Sequence, residues 1–368
     1  MFKHQSWFLV VIALVIGALA ACRAPTQPTR VAAPSSSAIV VTDAMGRTVK
    51  FDTLPQRIVL AGKAFFMILD ALYLFPEAGQ RVVGLPDTTQ TKTDFYPVID
   101  PNRTGKTFFQ GNDVGPEQIV PAQPDVVITK SVNAGKLGKA LEQVNIPVVY
   151  VDLETPEQYT RDIAILGQLL GNPERAQKID AYYKAQVDRV SSRGKNLQDA
   201  DKPKVLLLQS AEKSGTVAFS IAPAEWMQTI LVERAGGKAI WKEASDKGGW
   251  TIVNLEQIAA WNPDLVFIVN YSGNSKDVIA KLKADPKWQS LKAVKAGTLY
   301  GFPGDFYTWD QPDPRWGLGL TWLATKIHPA LFSDVNINQE INQFYALYGL
   351  DQAAVQSQVT PLLQGDLP

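Results

Sequence analysis

One cysteine and two histidines in 368 residues leave little for several kinds of chemistry. A lone Cys22 cannot form an intrachain disulfide. His4 and His328 are too few for Ser-His or Cys-His catalysis. A bare transition-metal ion wants several imidazole or thiolate ligands, and these are absent too. Charge is equally plain: Lys+Arg and Asp+Glu each number 36, with no basic stripe or arginine-rich tail, which argues against a nucleic-acid partner. No apolar run is long enough for a comfortable membrane span. What remains is ordinary globular composition, 46% hydrophobic and 20% charged, with a length that suggests two domains.

The N-terminus has the form of a signal peptide. Lys3 precedes the apolar run from Phe8 to Leu19, and small residues follow. Leu19-Ala20-Ala21-Cys22 resembles the lipobox of bacterial lipoproteins, in which the thiol is acylated and the chain is cut just before it. Two or more acyl chains hold a soluble domain on a membrane stably. Residues 1–21 are thus expected to be removed, and Cys22 to be the lipidated residue. Arg23 to Ala38 is rich in Pro, Ser, Thr and Ala without periodicity, so residues 22–38 read as a flexible tether.

Ordered structure is expected from Ile39, with a hairpin over Ile39–Phe51. Strand-like runs then alternate with helical ones, the signature of parallel sheets with both faces covered. Ligands of such sheets sit beyond the carboxyl ends of the strands, where the Gly62-Lys63-Ala64-Phe65 turn falls. Between Thr155 and Gly194 two helices follow in succession. Thr155-Pro156-Glu157-Gln158 is a capping box, and Gly171-Asn172-Pro173 ends the first helix and starts the second. The second has no Gly or Pro from Glu174 to Arg193 and carries Ala176, Ile179, Tyr183, Val187 and Val190 on one stripe.

Either side of this rod the sequence echoes itself. Val114 to Ile119 followed by Pro124-Asp125-Val126 aligns without gaps with Val253 to Ile258 followed by Pro263-Asp264-Leu265, at an offset of 139 residues. Duplicated lobes flanking a stiff strut account for both features. The predicted architecture is α/β: a lobe over 39–156, a helical connection over 157–196 and a second lobe over 197–368, with a cleft between.

These residues resemble a family. Asp43-Ala-Met-Gly-Arg-Thr-Val, Pro55-Gln-Arg-Ile-Val, Gly236-Gly237, Asp285-Pro-Lys-Trp288 and Gly297 to Tyr300, in this order and spacing, are similar to solute-binding proteins of ABC importers for iron–siderophores, haem and cobalamin. The resemblance implies two α/β lobes joined by one long helix, an extracytoplasmic, lipid-anchored monomer, and no enzymatic activity. Its partners would be a permease dimer with its cytoplasmic ATPase. Its ligand would be an iron chelate of siderophore type, with a corrinoid, haem or an oxyanion such as molybdate as alternatives. On the motif positions, Glu117 and Glu256 would dock on the permease, one per lobe. Trp250 and Phe109 fall where ligand-contacting aromatics lie, as does the loop Asp305-Phe306-Tyr307. Phe65, Phe108, Phe219, Tyr271 and Trp309 are further aromatic candidates for the cleft. Aromatics at loop tips suit a large, flat or apolar ligand. Lys63 and Lys130, at strand ends, could pair with an anionic chelate.

Asn102-Arg-Thr-Gly105-Lys106-Thr107 imitates the tail of a phosphate loop, but Asp100 stands where the first glycine belongs. A lipid-tethered α/β enzyme or adhesin is the rival class.

Overall fold

A computed structural model of the protein describes residues 38–367 apart from 89, 91, 92, 112, 214, 215 and 247. The signal peptide, Cys22 and the tether up to residue 37 lie outside the described residues. From Ala38 onward the chain forms one compact unit.

The hairpin pairs β1 (Ile39–Thr42) with β2 (Thr48–Phe51). Asp43 closes its turn by accepting the N–H groups of Met45 and Arg47, and Gly46 supplies the positive φ of 76°. The first sheet follows: β3 (Ile58–Leu60), β4 (Val82–Pro86), β5 (Thr107–Phe109), β6 (Val126–Lys130) and β7 (Val148–Val151). Its order is β5-β4-β3-β6-β7 and every pairing is parallel. In β3, Ile58 and Leu60 enter one apolar cluster while Val59 and Ala61, just beyond the strand, enter another on the opposite face, so both faces are covered.

The second sheet comprises β8 (Lys204–Lys213), β9 (Thr216–Ile221), β10 (Lys238–Ala239), β11 (Thr251–Val253), β12 (Leu265–Val269) and β13 (Leu299–Gly301). Its order is β11-β9-β8-β12-β13, with β10 also on β8. It corrects the expectation of two parallel sheets. β8 pairs with β10 and β12 in parallel but with β9 antiparallel, and β9 pairs with β11 antiparallel. Only residues 214 and 215 separate β8 from β9, far too few for the crossover a parallel pair needs.

The sequence echo has a structural counterpart. Gln123 and Asn262, at the 139-residue offset, both adopt the left-handed conformation (φ 47° and 48°) at the end of a helical turn. Two residues on, Asp125 accepts the N–H of Arg57 at 2.9 Å and Asp264 that of Lys204 at 2.8 Å. Each carboxylate thereby fixes the start of the strand neighbouring its own.

The connection is two helices, Pro156–Leu170 and Pro173–Gly194. Thr155 caps the first by accepting from Gln158 N–H, while the Gln158 side chain reaches Glu154 N–H rather than Thr155 itself. Gly171 terminates it at φ 67°, and Asn172 caps the second helix. The second runs for 22 residues, roughly 33 Å at 1.5 Å per residue. Its buried stripe is Ala176, Ile179, Tyr183, Gln186 and Val190; Val187 is only half buried. Gln186 is buried because Thr321 donates to its amide oxygen at 2.8 Å and its nitrogen reaches Glu340. Tyr183 stacks on Trp316 of the helix Trp316–Ile327, with ring centroids 4.7 Å apart.

The rod is not the sole join between the halves. Arg175, near its start, donates to the carbonyls of Leu74 and Leu347, and Tyr348 donates to Asp70 O at 2.9 Å. The segment just after the helix Ile337–Ala346 thus returns the chain to the first half.

Candidate functional site

A cavity of about 450 Å3 opens where the carboxyl ends of the two sheets meet. From the first half come Lys63 to Met67, Thr88, Gln90 and Glu154; from the second, Trp226, Met227, Gln228, Trp250, Tyr271, Gln311 and Pro312. Strand β3 ends at Leu60, and the chain turns sharply through Gly62 into the helix Phe65–Leu72. Only glycine fits at 62: φ is 87°, and an added Cβ would lie 2.6 Å from Asn133 Nδ2 and 2.8 Å from Thr129 Oγ1. Ala64 at the helix start is also left-handed, with φ 61°. Backbone in this region costs a non-glycine residue about 1–2 kcal/mol, a strain held beside the cavity.

The helices Phe65–Leu72 and Met227–Arg234 both begin at the cavity wall, one from each half, and neither has a side-chain cap. Their first N–H groups therefore contribute partial positive charge there. Lys63 is exposed and adds a full charge; among the described residues it makes no ion pair. Lys130, at the end of β6, is 2% exposed, and its ammonium pairs with Glu154 and touches the Met67 sulfur at 3.2 Å. Its charge is spent inside the wall. Aromatics make up much of the remainder. Trp226 and Trp250 meet edge to face at 5.7 Å, and Trp250 meets Tyr271 at 6.1 Å. Behind them Tyr271 donates to Asp310 at 2.7 Å, and Gln228 Nε2 lies 3.2 Å from both. Burial raises the Asp310 carboxyl, while hydrogen bonds from Tyr271, Thr308 and Gln228 hold it back down.

A second cavity of about 420 Å3 adjoins the first and shares Gln90, Tyr271 and Gln311 with it. Phe306 and Tyr307 border it. These two residues and Trp309 are almost wholly buried, so the loop packs into the seam between the halves even where Phe306 and Tyr307 border the cavity. Phe306 packs on Phe95 at 4.7 Å, Tyr307 stacks on Phe66 at 5.0 Å, and the Trp309 indole donates to Asp305 at 2.9 Å. Below this seam Arg315 is fully buried. Its guanidinium lies 2.8 Å from Asp70 of the first half and 2.5 Å from Asp305, with Asp313 at 3.7 Å. Burial pushes the Asp70 carboxyl up to about 6 and that of Asp313 up to about 8, although Arg315 opposes both shifts.

Of the candidates read from sequence, Lys63, Phe65, Trp250 and Tyr271 line the main cavity. Phe108 lies to one side under the Arg103 guanidinium, 4.3 Å away. Phe109 is buried in the apolar cluster behind the first sheet, and Phe219 packs on Trp288 at 5.1 Å. Trp309 lines neither cavity. Phe66, Met67, Glu154, Trp226, Met227, Gln228, Gln311 and Pro312 were not anticipated. Trp226 could have been, as an aromatic immediately ahead of a helix that follows a strand end. Glu117 and Glu256 are both exposed, each in the first turn of its helix, Pro116–Ile119 and Leu255–Trp261. The apparent phosphate-loop lysine, Lys106, is buried against Asp100 at 2.8 Å and serves the core. His328 ends its helix, with Nε2 3.0 Å from Gly236 O. Among the described residues no cluster of three His, Cys, Asp or Glu could hold a metal ion.

The family model for periplasmic binding proteins matches residues 58–306, which span both sheets and every residue lining the main cavity except Gln311 and Pro312. The chain belongs to that family. This binding protein is 26% identical to the molybdate-binding protein MolA of Haemophilus influenzae over 257 residues, 64% of this chain and 69% of that one. It is 28% identical to a vitamin B12-binding protein of Vibrio campbellii over 170 residues, 46% of this chain and 58% of that one. A periplasmic solute-binding protein from Veillonella parvula superposes with a TM-score of 0.71 at 26% identity, covering 88% of this chain and 99% of its own. The resemblance to iron–siderophore, haem and cobalamin binders holds at the level of the family, and with it an extracytoplasmic setting. No helix among the described residues is long and apolar enough to cross a membrane.

Proposed function

We propose that this periplasmic binding protein serves an ABC importer and captures a metal ion already chelated by an oxygen-rich organic ligand, of the iron–siderophore type. The observation that carries the reading is the cavity between the halves. Two uncapped helix starts and Lys63 suit the electron-rich oxygens around a metal. Phe66, Trp226 and Trp250 suit its organic periphery. A corrinoid or haem would use the same aromatic walls. Cys22, acylated, would hold the chain at the membrane, with lobes 39–156 and 197–368 joined through 157–196. Glu117 and Glu256 are the proposed anchors on a permease dimer with its cytoplasmic ATPase; their support is equivalent placement across the echo and exposure at both sites. Charge-assisted contacts with permease arginines would set register as well as affinity.

A second reading is an oxyanion such as molybdate. The uncapped helix starts favour it, and the Haemophilus relative is named for that ion. Thermal melting with a panel separates the readings. A true ligand at about a hundred times its Kd adds about 2.7 kcal/mol by mass action. A shift with ferric hydroxamates or corrinoids supports the chelate; a shift with molybdate alone supports the oxyanion. No shift with either, together with turnover of an ester or phosphoester, would sink the binding role.

A further inference from the structure

We infer that Glu154 is a built-in substitute for an anionic group of the ligand. Its carboxylate caps the Lys130 ammonium and gives that ammonium up to a carboxylate, catecholate or oxyanion oxygen on binding. This rests on the binding role proposed above and adds how the same cavity admits negative charge.

The geometry places the pair at the cavity wall. The Lys130 side chain is 3% exposed, and the Glu154 side chain that pairs with it is 51% exposed. The Met67 sulfur lies 3.2 Å from the same ammonium. Glu154 and Met67 both line the main cavity, with the Lys130 ammonium behind them. The charge therefore sits one side chain back from the ligand space, and Glu154 is part of its cover.

The backbone that carries Glu154 is fixed, so the side chain is what can move. Leu153 is fully buried and held left-handed at φ 56°, an unfavourable conformation for a bulky residue. Asp162 accepts the N–H groups of Asp152 and Leu153, both at 2.7 Å, and the Gln158 side chain accepts that of Glu154 at 2.8 Å. Three successive N–H groups are thus tied to one helix, which is what sustains the strained turn.

The exchange favours one chemistry. Stripping a buried ammonium of its counter-charge is costly, so a neutral ligand group does not displace Glu154. An anionic oxygen replaces the carboxylate like for like. Glu154, already half in water, then rotates out at little cost. Lys63 and the two helix starts at the cavity wall attract the same negative charge.

The test is a double-mutant cycle read by calorimetric titration. The probes are an anionic ferric citrate chelate, molybdate, and ferrichrome, a neutral ferric hydroxamate. Glu154→Gln removes the competing charge and keeps the side chain's shape. Affinity for ferric citrate or molybdate, whichever binds, should rise about tenfold or more, the worth of one hydrogen bond to a charged group. Any change for ferrichrome should be much smaller. Glu154→Asp draws the carboxylate back from Lys130 and should give a lesser gain, although the charge remains. In a Lys130→Met background, Glu154→Gln should give no gain. A gain undiminished in that background is plain repulsion by a nearby carboxylate and overturns the inference, as does an unchanged anion affinity in Glu154→Gln. If melting curves show that Lys130→Met does not fold, Glu154→Asp decides, and the absence of a gain there overturns the inference. Ferrichrome bound alone, with neither anion taken up by any variant, overturns it and leaves the chelate reading standing. The full cycle with molybdate alone upholds it and overturns the chelate reading. Binding of none of the three by any variant overturns both.

Discussion

Replacing Arg315 by Met should loosen the seam between the halves, and the loss should depend on pH in an unusual direction. Among the described residues Arg315 is the one cation in a fully buried group that includes Asp70, Asp305 and Asp313. Removing one partner of a buried ion pair costs about 3–5 kcal/mol, because the remaining charge is stranded without water. Here three carboxylates lose their counter-charge, but Asp70 and Asp313 can take up protons. In the unmodified chain burial already lifts Asp70 to about 6 and Asp313 to about 8, above the value of about 3.9 expected when unfolded. A raised carboxyl favours folding at acid pH, and that contribution is lost as pH rises through its folded value. For these two groups the window runs from about pH 4 to about pH 8. Without the guanidinium, which opposes both shifts, Asp70 and Asp313 move further up, so the penalty of Arg315→Met should be smaller at pH 5 than at pH 8. Urea unfolding at both pH values, followed by tryptophan fluorescence, gives the comparison. A loss below about 1 kcal/mol at pH 8, the range of an exposed pair, would refute the reasoning. So would a loss equal at the two pH values.

Glu117→Ala combined with Glu256→Ala should abolish uptake through the permease while leaving ligand affinity unchanged in titration; weakened binding would move the glutamates into the cleft. Gly62→Ala should destabilise the chain by about 2 kcal/mol or more, from left-handed backbone strain plus the contact with Asn133 Nδ2, and a melting temperature within a degree of the parent would contradict the turn geometry. Closure on ligand should be limited to a few degrees, because the 22-residue helix and the Arg315 seam both tie the halves together; a large drop in radius of gyration by small-angle scattering would show otherwise.

The scaffold was legible in the sequence because its signals are local. Thr155, Gly171 and Asn172 mark helix ends through their own backbone chemistry, and all three act as caps. The Pro-Asp turns before β6 and β12 announced the repeated unit. The sequence does not announce β9 or the antiparallel half of the second sheet, since Thr216–Ile221 directly follows another apolar strand and its pairing is set by the two strands lying only two residues apart. The cavity was harder. Lys63 and Phe65 sit at a strand end whose position the α/β pattern dictates. Trp226, Gln228 and Gln311 reach the cavity through packing between elements distant in sequence, which no local spacing encodes. The 305–309 loop looked like an aromatic lip for the opposite reason: sequence shows rings, but only the fold shows that Asp305, Arg315 and Phe95 draw them inward.

The central claim is that a bulky chelated metal is bound between the halves, against Trp226 and Trp250. Titrating the chain lacking residues 1–21 with ferrichrome, and following tryptophan fluorescence in the parent and in a Trp226→Phe, Trp250→Phe variant, tests it directly. The account predicts saturable quenching at one ligand per chain, with most of the signal lost in the variant. Quenching that persists undiminished in the variant, or none at any concentration for ferric hydroxamates and corrinoids alike, would contradict it.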